Sequence, residues 1–279
     1  MRIAIASGKG GTGKTTVAVN LALSLSDVQL VDADVEEPNA HVFFKLTNTK
    51  KEEITVNKPR IDRNTCTYCG ECASFCAYNA LAVVKHQVLV FPELCHACTG
   101  CALVCPVDAV NWDHRVVGIL RLGVTNENIA FLEGELNTGE VMSIPVIKAL
   151  KKRIDQEKTV IVDAPPGTSC PVIETMQDAD AVILVTEPTP FGLHDLKLAV
   201  EVVRTMNISF GVIINRDGIG DDRVETYCME ENIPVLLRIP NDRQIAELYS
   251  EGIAFVKEIP EMKHAFQTLY QKITRLVEK

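Results

Sequence analysis

Two groups of residues in this 279-residue sequence have types and spacing that could do chemistry. The first is the run Gly8-Lys9-Gly10-Gly11-Thr12-Gly13-Lys14-Thr15-Thr16. Its glycines let backbone N–H groups turn inward around phosphate oxygens, and a helix starting at Lys14 would aim its positive end at the same anion. In the pattern Gly8-x4-Gly13-Lys14-Thr15, Lys14 would reach the β- and γ-phosphates of a nucleoside triphosphate and Thr15 would ligate Mg2+. Lys9 is surplus to that pattern, because holding a nucleotide within one chain does not require it. The second group is eight of the ten cysteines, Cys66, Cys69, Cys72, Cys76, Cys95, Cys98, Cys101 and Cys105. Their CxxC spacing points to metal, since disulfides are rare in a reducing compartment. Paired zinc sites and a disulfide scaffold are the competing readings.

The elements that must position these groups follow from apolar patterning. Short apolar runs at Ile3 to Ala6, Gln29 to Val31, Val160 to Val162, Ala181 to Val185, Gly211 to Ile214 and Val235 to Leu237 have the length of buried strands. Helical patterns lie between most of them, at Lys14 to Ser26, Pro145 to Asp155, Leu193 to Met206, Arg223 to Glu231 and Arg243 to Ser250. This alternation predicts an α/β fold, a mostly parallel doubly wound sheet with helices on both faces. Ligand chemistry in such sheets sits at the C-terminal ends of strands. Asp163, closing the strand in "VIVDAPPGT", is therefore the candidate Mg2+-side carboxylate, and Gly167 the hinge of a loop that senses the γ-phosphate. Asp32, in "VDAD", could instead be a strand-end cap.

The cysteine-dense stretch interrupts this rhythm and predicts an inserted domain at residues 55–114, between the two parts of the α/β phosphate-loop domain, 1–54 and 115–279. It holds an internal repeat, "CTYCGECASFCAYNAL" followed by "CHACTGCALVCPVDAV". Two-residue spacing wraps backbone around successive corners of an iron–sulfur cube, and the amides can hydrogen-bond the sulfurs. The spacing resembles that of bacterial two-[4Fe-4S] ferredoxins, matched twice. In that family the fourth cysteine of each run ligates the other cluster. The resemblance implies one cluster on Cys66, Cys69, Cys72 and Cys105, and a second on Cys76, Cys95, Cys98 and Cys101, in an α+β ferredoxin-like insert. Ala77 stands where proline is usual, whereas the second run keeps Pro106.

With Lys9 included, the glycine loop resembles the deviant Walker A loop of the MinD, ParA, nitrogenase iron protein and Mrp ATPases. The resemblance implies that Lys9 crosses a two-fold interface to the partner's ATP, adding positive charge to the transition state. It also implies that Asp34 positions the attacking water, that Asp163 in "DAPPG" belongs to the second switch, and that Asn215 and Arg216 contact adenine. The guanine-selective N-K-x-D pattern is not met, since Arg216 and Gly218 replace its lysine and aspartate. ATP is thus expected over GTP. From Met1 to about Glu258 the chain resembles MinD-superfamily ATPases with an inserted ferredoxin domain, on "DADVEEPNAH" and "GELNTGEVMSIPVI". Two clusters in one small module, inserted just after Asp34, lead to the expected function: a slow, homodimeric, ATP-gated electron carrier with Mg2+ and two [4Fe-4S] clusters, its redox or apo-protein partner unknown. An iron–sulfur cluster carrier of Mrp type and a redox-sensing positioning ATPase are the alternatives.

A net charge of -9 and pI near 5.2 argue against nucleic acid or a membrane surface as partner. No apolar run approaches the ~20 residues of a membrane span, and no signal-like start is apparent. A cytoplasmic location is expected. Cys170 and Cys228 are expected to be buried, inert thiols. The helical pattern Met262, Phe266, Leu269, Ile273, Leu276 and Val277 is expected to pack on the core rather than on a membrane. His96 and Trp112 border the cysteine runs, and Trp112 could shield one cluster from water.

Overall fold

A computed structural model describes residues 1–278. The chain runs β1 (Arg2–Ala6), α1 (Lys14–Leu23), β2 (Val28–Asp32), β3 (Leu46–Ile61), α2 (Glu71–Phe75), β4 (Leu81–Val84), β5 (Gln87–Val90), α3 (Gly100–Leu103), β6 (Val110–Thr125) and β7 (Ala130–Leu136). It continues through α4 (Ile144–Lys151), β8 (Thr159–Asp163), α5 (Cys170–Met176), β9 (Ala181–Thr186), α6 (Pro190–Met206), β10 (Ser209–Asp217), α7 (Arg223–Glu230), β11 (Val235–Pro240), α8 (Arg243–Ser250) and α9 (Pro260–Val277).

Nine strands form one sheet in the order β11-β10-β9-β1-β8-β2-β7-β6-β3. Every pairing from β11 to β7 is parallel. The last two, β7 with β6 and β6 with β3, are antiparallel. The mostly parallel α/β sheet is as the apolar runs require, because β1, β2, β8 and β9 are buried on both faces and carry apolar residues almost throughout. One face packs under α1 and α9, where Phe255, Phe266, Leu269 and Ile273 are buried against Ile3, Ile5 and Leu21. α9 is thus a core helix. The other face is covered by α5, α6 and α7 over β9 and β10, and by α4 over β7 and β8.

The β3–β6 ribbon and β7 have no counterpart in the sequence expectation. Each ribbon strand is 16 residues long, which makes the ribbon about 50 Å from root to tip. Its rungs run from Leu46 opposite Thr125 to Ile61 opposite Val110. The expected domain limits at 55 and 114 therefore fall inside continuous strands. β3 carries mainly polar residues on an edge, "TNTKKEE", so it lacks the apolar run that marks a buried strand. The tip closes where the Asp62 N–H donates to the Ala109 carbonyl at 2.8 Å. Between them lie the cysteines, α2, α3 and the small hairpin β4–β5.

Candidate functional site

The glycine loop spans the turn between β1 and α1 at the C-terminal edge of the sheet. Gly13 adopts φ +94°, and a Cβ there would meet the Asn215 side-chain nitrogen at 2.3 Å. Only glycine permits both the turn and that approach. The Asn215 amide donates to the Thr12 carbonyl at 2.8 Å, tying the end of β10 to the loop. Lys14 is buried, and so is Thr12, whose hydroxyl has no partner. The Gly167 N–H donates to the Ser7 carbonyl at 3.0 Å, so the Pro165–Gly167 turn lies against the loop's start.

Three neighbouring strands place buried carboxylates in one row, at the ends of β2 and β8 and in the middle of β7. Asp32 on β2 stands in register with Asp163 on β8 and with Glu133 on β7. Asp32 accepts from the N–H groups of Asp34, Asn39 and Ala40 at 3.1, 3.0 and 2.9 Å. Burial first, then the Asp163 charge, hold its pKa well above the usual range. Its role is that of a strand-end cap folding the loop that presents Asp34. Glu133 pairs with Arg121 and, at 2.6 Å, with His41. Asp163 differs, since no protein donor is aligned well enough to satisfy either of its oxygens. Burial pushes its pKa up to about 7 against the opposing pull of the Thr15 hydroxyl and Lys14. A buried, orphaned carboxylate beside Thr15 is a donor set suited to a hard cation such as Mg2+. Burial likewise pushes Asp34 up to about 6, with Lys14 the chief opposing influence.

Lys14, Thr15, Thr16, Asp34, Asn215 and Arg216 line one cleft. Sequence reasoning missed its far wall, formed by Asn241, Asp242, Ile245 and Tyr249 at the end of β11 and on α8. These residues carry no motif, and only the sheet order brings them beside β10. Lys9 lies 3.7 Å from Glu187 of the same chain, whose other oxygen holds Arg216 at 2.7 Å. Glu187, at the end of β9, was also missed. Arg216 has φ +53°, a left-handed conformation uncommon outside glycine.

The two cysteine runs fold as repeats. Tyr68 and Ala97, Gly70 and Thr99, and Asn79 and Asp108 all adopt left-handed conformations at matching positions. These turns aim amides at sulfur: Tyr68 to Cys66 and Ala97 to Cys95, each at 3.4 Å, Ala80 to Cys76 at 3.3 Å, and Ala109 to Cys105 at 3.2 Å. One cavity is lined by Cys66, Cys69, Cys72 and Cys105. A second is lined by Cys76, Cys95, Cys98 and Cys101, together with Phe75, Tyr78, His96 and Trp112. Each cavity thus takes its fourth cysteine from the opposite run. Among the described residues, no three His, Cys, Asp or Glu side chains converge on a point fit for one metal ion. Burial raises the Cys72 thiol, with Cys66 and Cys105 adding to it. Cys101 is pushed up to about 11 by burial, then by Cys95 and Cys98.

Of the lone features, Cys228 is buried as expected, but Cys170 is exposed. The correction arises because Cys170 stands at the exposed first position of α5, a helix that sequence reading missed. His96 stacks on Tyr78 with ring centroids 3.5 Å apart. No helix among the described residues is long and apolar enough to cross a membrane.

Comparison with known proteins places this geometry. The family model for the CobQ/CobB/MinD/ParA nucleotide binding domain matches residues 3–255. An uncharacterised protein of Methanocaldococcus jannaschii is 30% identical over 263 residues, 92% of each chain. An iron-sulfur cluster carrier protein of Aquifex aeolicus is 26% identical over 303 residues, covering 99% of this chain and 68% of that one. The septum site-determining protein MinD with Mg-ADP from Pyrococcus horikoshii shares the fold, with a TM-score of 0.61 at 21% identity over 99% of this chain and 96% of that one. With nine-tenths of its length matched and the glycine loop at the sheet's C-terminal edge, the chain belongs to the CobQ/CobB/MinD/ParA nucleotide-binding domain family.

Proposed function

We propose that this chain is an ATP-hydrolysing switch that carries two [4Fe-4S] clusters and moves electrons through them, docking with a second copy of itself when ATP is bound. The observation that carries the reading is the grouping of the eight thiols into two cavities, each completed from the opposite run. Backbone amides already donate to two sulfurs in each cavity, which stabilises thiolate and cluster sulfur charge. The clusters would sit in the insert expected at residues 55–114, between nucleotide-domain segments 1–54 and 115–279, with β3 and β6 running continuously across both limits.

In the hydrolytic step the loop amides, Lys14 and Thr16 hold the phosphates, while Asn215 and Arg216 border the adenine. Thr15 and Asp163 would hold Mg2+, which supplies charge neutralisation across the β- and γ-phosphates. Asp34 orients a water whose oxygen bonds to the γ-phosphorus as the bond to the β-phosphate oxygen breaks, leaving ADP and phosphate. With a pKa of about 6, Asp34 is mostly ionised at pH 7 and can accept a proton. The partner's Lys9 adds positive charge to the same phosphate. For that it must leave Glu187, a weak contact at 3.7 Å.

The test is electron delivery from reduced protein to a low-potential dye acceptor under anaerobic conditions. Rates that differ between ATP and ADP, and lose that difference in Lys14→Ala, are expected; identical rates in all three refute the reading. A second reading, a carrier that hands a whole cluster to an apo-protein, draws on the relatives named iron-sulfur cluster carrier proteins. Cluster transfer to an apo-ferredoxin, followed optically, separates the two.

A further inference from the structure

The two cysteine cavities are not equivalent in their attachment to the nucleotide domain. The cavity of Cys66, Cys69, Cys72 and Cys105 is lined by Ile61 and Val110, the last rung of the ribbon. The other is lined by Trp112, nearer the root. Ala97 packs against the core that contains Val31, Ala33 and Val35. Val35 directly follows Asp34.

A polar path joins the same points. The Val35 carbonyl accepts from the Leu136 N–H at 2.7 Å, where β7 ends. The next residue, Asn137, is fixed to the ribbon, its N–H on the Val117 carbonyl at 2.9 Å and its side-chain amide on the Val116 carbonyl at 3.1 Å. The Glu140 N–H closes a turn onto the Asn137 carbonyl at 3.0 Å. The Glu140 carboxylate pairs with Arg115, and both side chains are largely buried. The other arm of the Arg115 guanidinium donates to the Cys95 carbonyl at 3.4 Å. One planar fork thus bridges the loop after β7 and the backbone of a cysteine loop.

We infer that Arg115 and Glu140 are positioning residues that transmit movement of the Asp34–Val35 loop to the Cys95–Cys98 loop, so that the cavity of Cys76, Cys95, Cys98 and Cys101 is the one that responds to nucleotide. The inference rests on the proposed ATP-switched cluster reading and adds which half of the insert is switched. The cavity at the ribbon tip then changes only through its neighbour, and nucleotide state acts at one end of the electron path.

The experiment is hydrogen exchange of the full chain, anaerobically reconstituted, with ADP and with a non-hydrolysable ATP analogue, alongside EPR of the reduced protein. Amides at 95–99 are expected to exchange about threefold more slowly in one nucleotide state than in the other, while those at 66–72 stay unchanged. One of the two cluster signals should change with nucleotide. Arg115→Gln and Glu140→Gln should each abolish the exchange difference at 95–99 while iron content and nucleotide affinity stay within about twofold. Wild-type protein with no difference at 95–99, or an equal difference at 66–72, overturns the inference, and so does either variant that retains the difference. Protein without iron and acid-labile sulfide would instead refute the cluster reading. The exchange comparison still decides the joint in that case, because it reads backbone amides.

Discussion

Replacing Asp163 by asparagine should stabilise the nucleotide-free protein, and do so more at pH 8 than at pH 5. The carboxyl is fully buried, its oxygens lack aligned donors, and its pKa stands at about 7 against an ordinary 3.8. For a carboxylate raised in the folded state, the native chain binds more protons than the unfolded chain between these two values. Stability therefore falls as pH rises through that window and levels off above about 7. At ~1.4 kcal/mol per unit, the raised carboxyl costs at most ~4 kcal/mol at pH 8, where it is ionised when folded, and ~2 kcal/mol at pH 5, where folding must protonate it. Relaxation and water entry roughly halve such values, leaving an excess gain for Asp163→Asn of about 1 kcal/mol at pH 8 over pH 5. In a chain of this size that is about 2–4 °C in Tm. Asp32 does not cancel in the comparison: the variant removes the Asp163 charge that helps raise its pKa, a change that adds to the gain at pH 8 in the same direction. The assay is thermal unfolding at both pH values without nucleotide, then with Mg2+ and ATP. Ligand should raise the Tm of the parent and not of the variant, since the variant lacks the carboxylate that would hold the cation. A gain at pH 5 equal to that at pH 8, or a variant less stable at both, refutes the reasoning.

Three further outcomes follow from the same geometry. Lys9→Ala and Asp34→Ala should each lose ATP hydrolysis, yet an equimolar mixture should recover about a quarter of the parent rate, because half the dimers are mixed and each has one intact site. Recovery at zero would mean that Lys9 acts within its own chain. Cys76→Ala should remove the cluster shared with Cys95, Cys98 and Cys101, halving iron content to about four atoms per chain. EPR should then show the remaining signal without spin–spin broadening, whereas loss of the tip cluster instead would refute the crossed assignment. Phe266→Ala, in the buried face of α9, should cost ~3–5 kcal/mol in unfolding measurements. A loss below ~1 kcal/mol would mean that α9 is not a core helix.

The parallel strands were legible because burial on both faces demands continuous apolar runs, and β1, β2, β8 and β9 have them. The glycine loop was legible for a different reason: its backbone geometry tolerates few side chains, so the residue types survive as a pattern. The ribbon was not legible. β3 is an edge strand whose exposed positions are Lys, Glu and Thr, and its hydrogen bonds go to a strand about sixty residues away. The same holds for Glu187, Asp242 and Tyr249, which reach the cleft only through strand order. Cys170 misled because cysteine usage favours burial, whereas its solvent exposure is set by the orientation of a seven-residue helix. The crossed cysteine sets needed the family resemblance; spacing alone groups each run with itself.

The three carboxylates aligned across β8, β2 and β7 differ in what compensates them. Ionised side by side in a buried layer they would repel, and each must be compensated or protonated. Asp32 is compensated by three backbone amides, which makes it a structural element of the Asp34 loop. Glu133 is compensated by Arg121 and His41, with Arg121 standing on the ribbon strand β6. Asp163 has neither amides nor a salt bridge, and the nearby Lys14 and Thr15 belong to the phosphate-binding helix start. If all three were filled by protein partners, a divalent cation would have to displace one. Because Asp163 is left bare, a cation bound with the nucleotide would supply the missing positive charge, and until then a proton is the group that relieves the site. Under the proposed reading, the bare carboxylate at Asp163 ties the stability of this sheet edge to the presence of ligand.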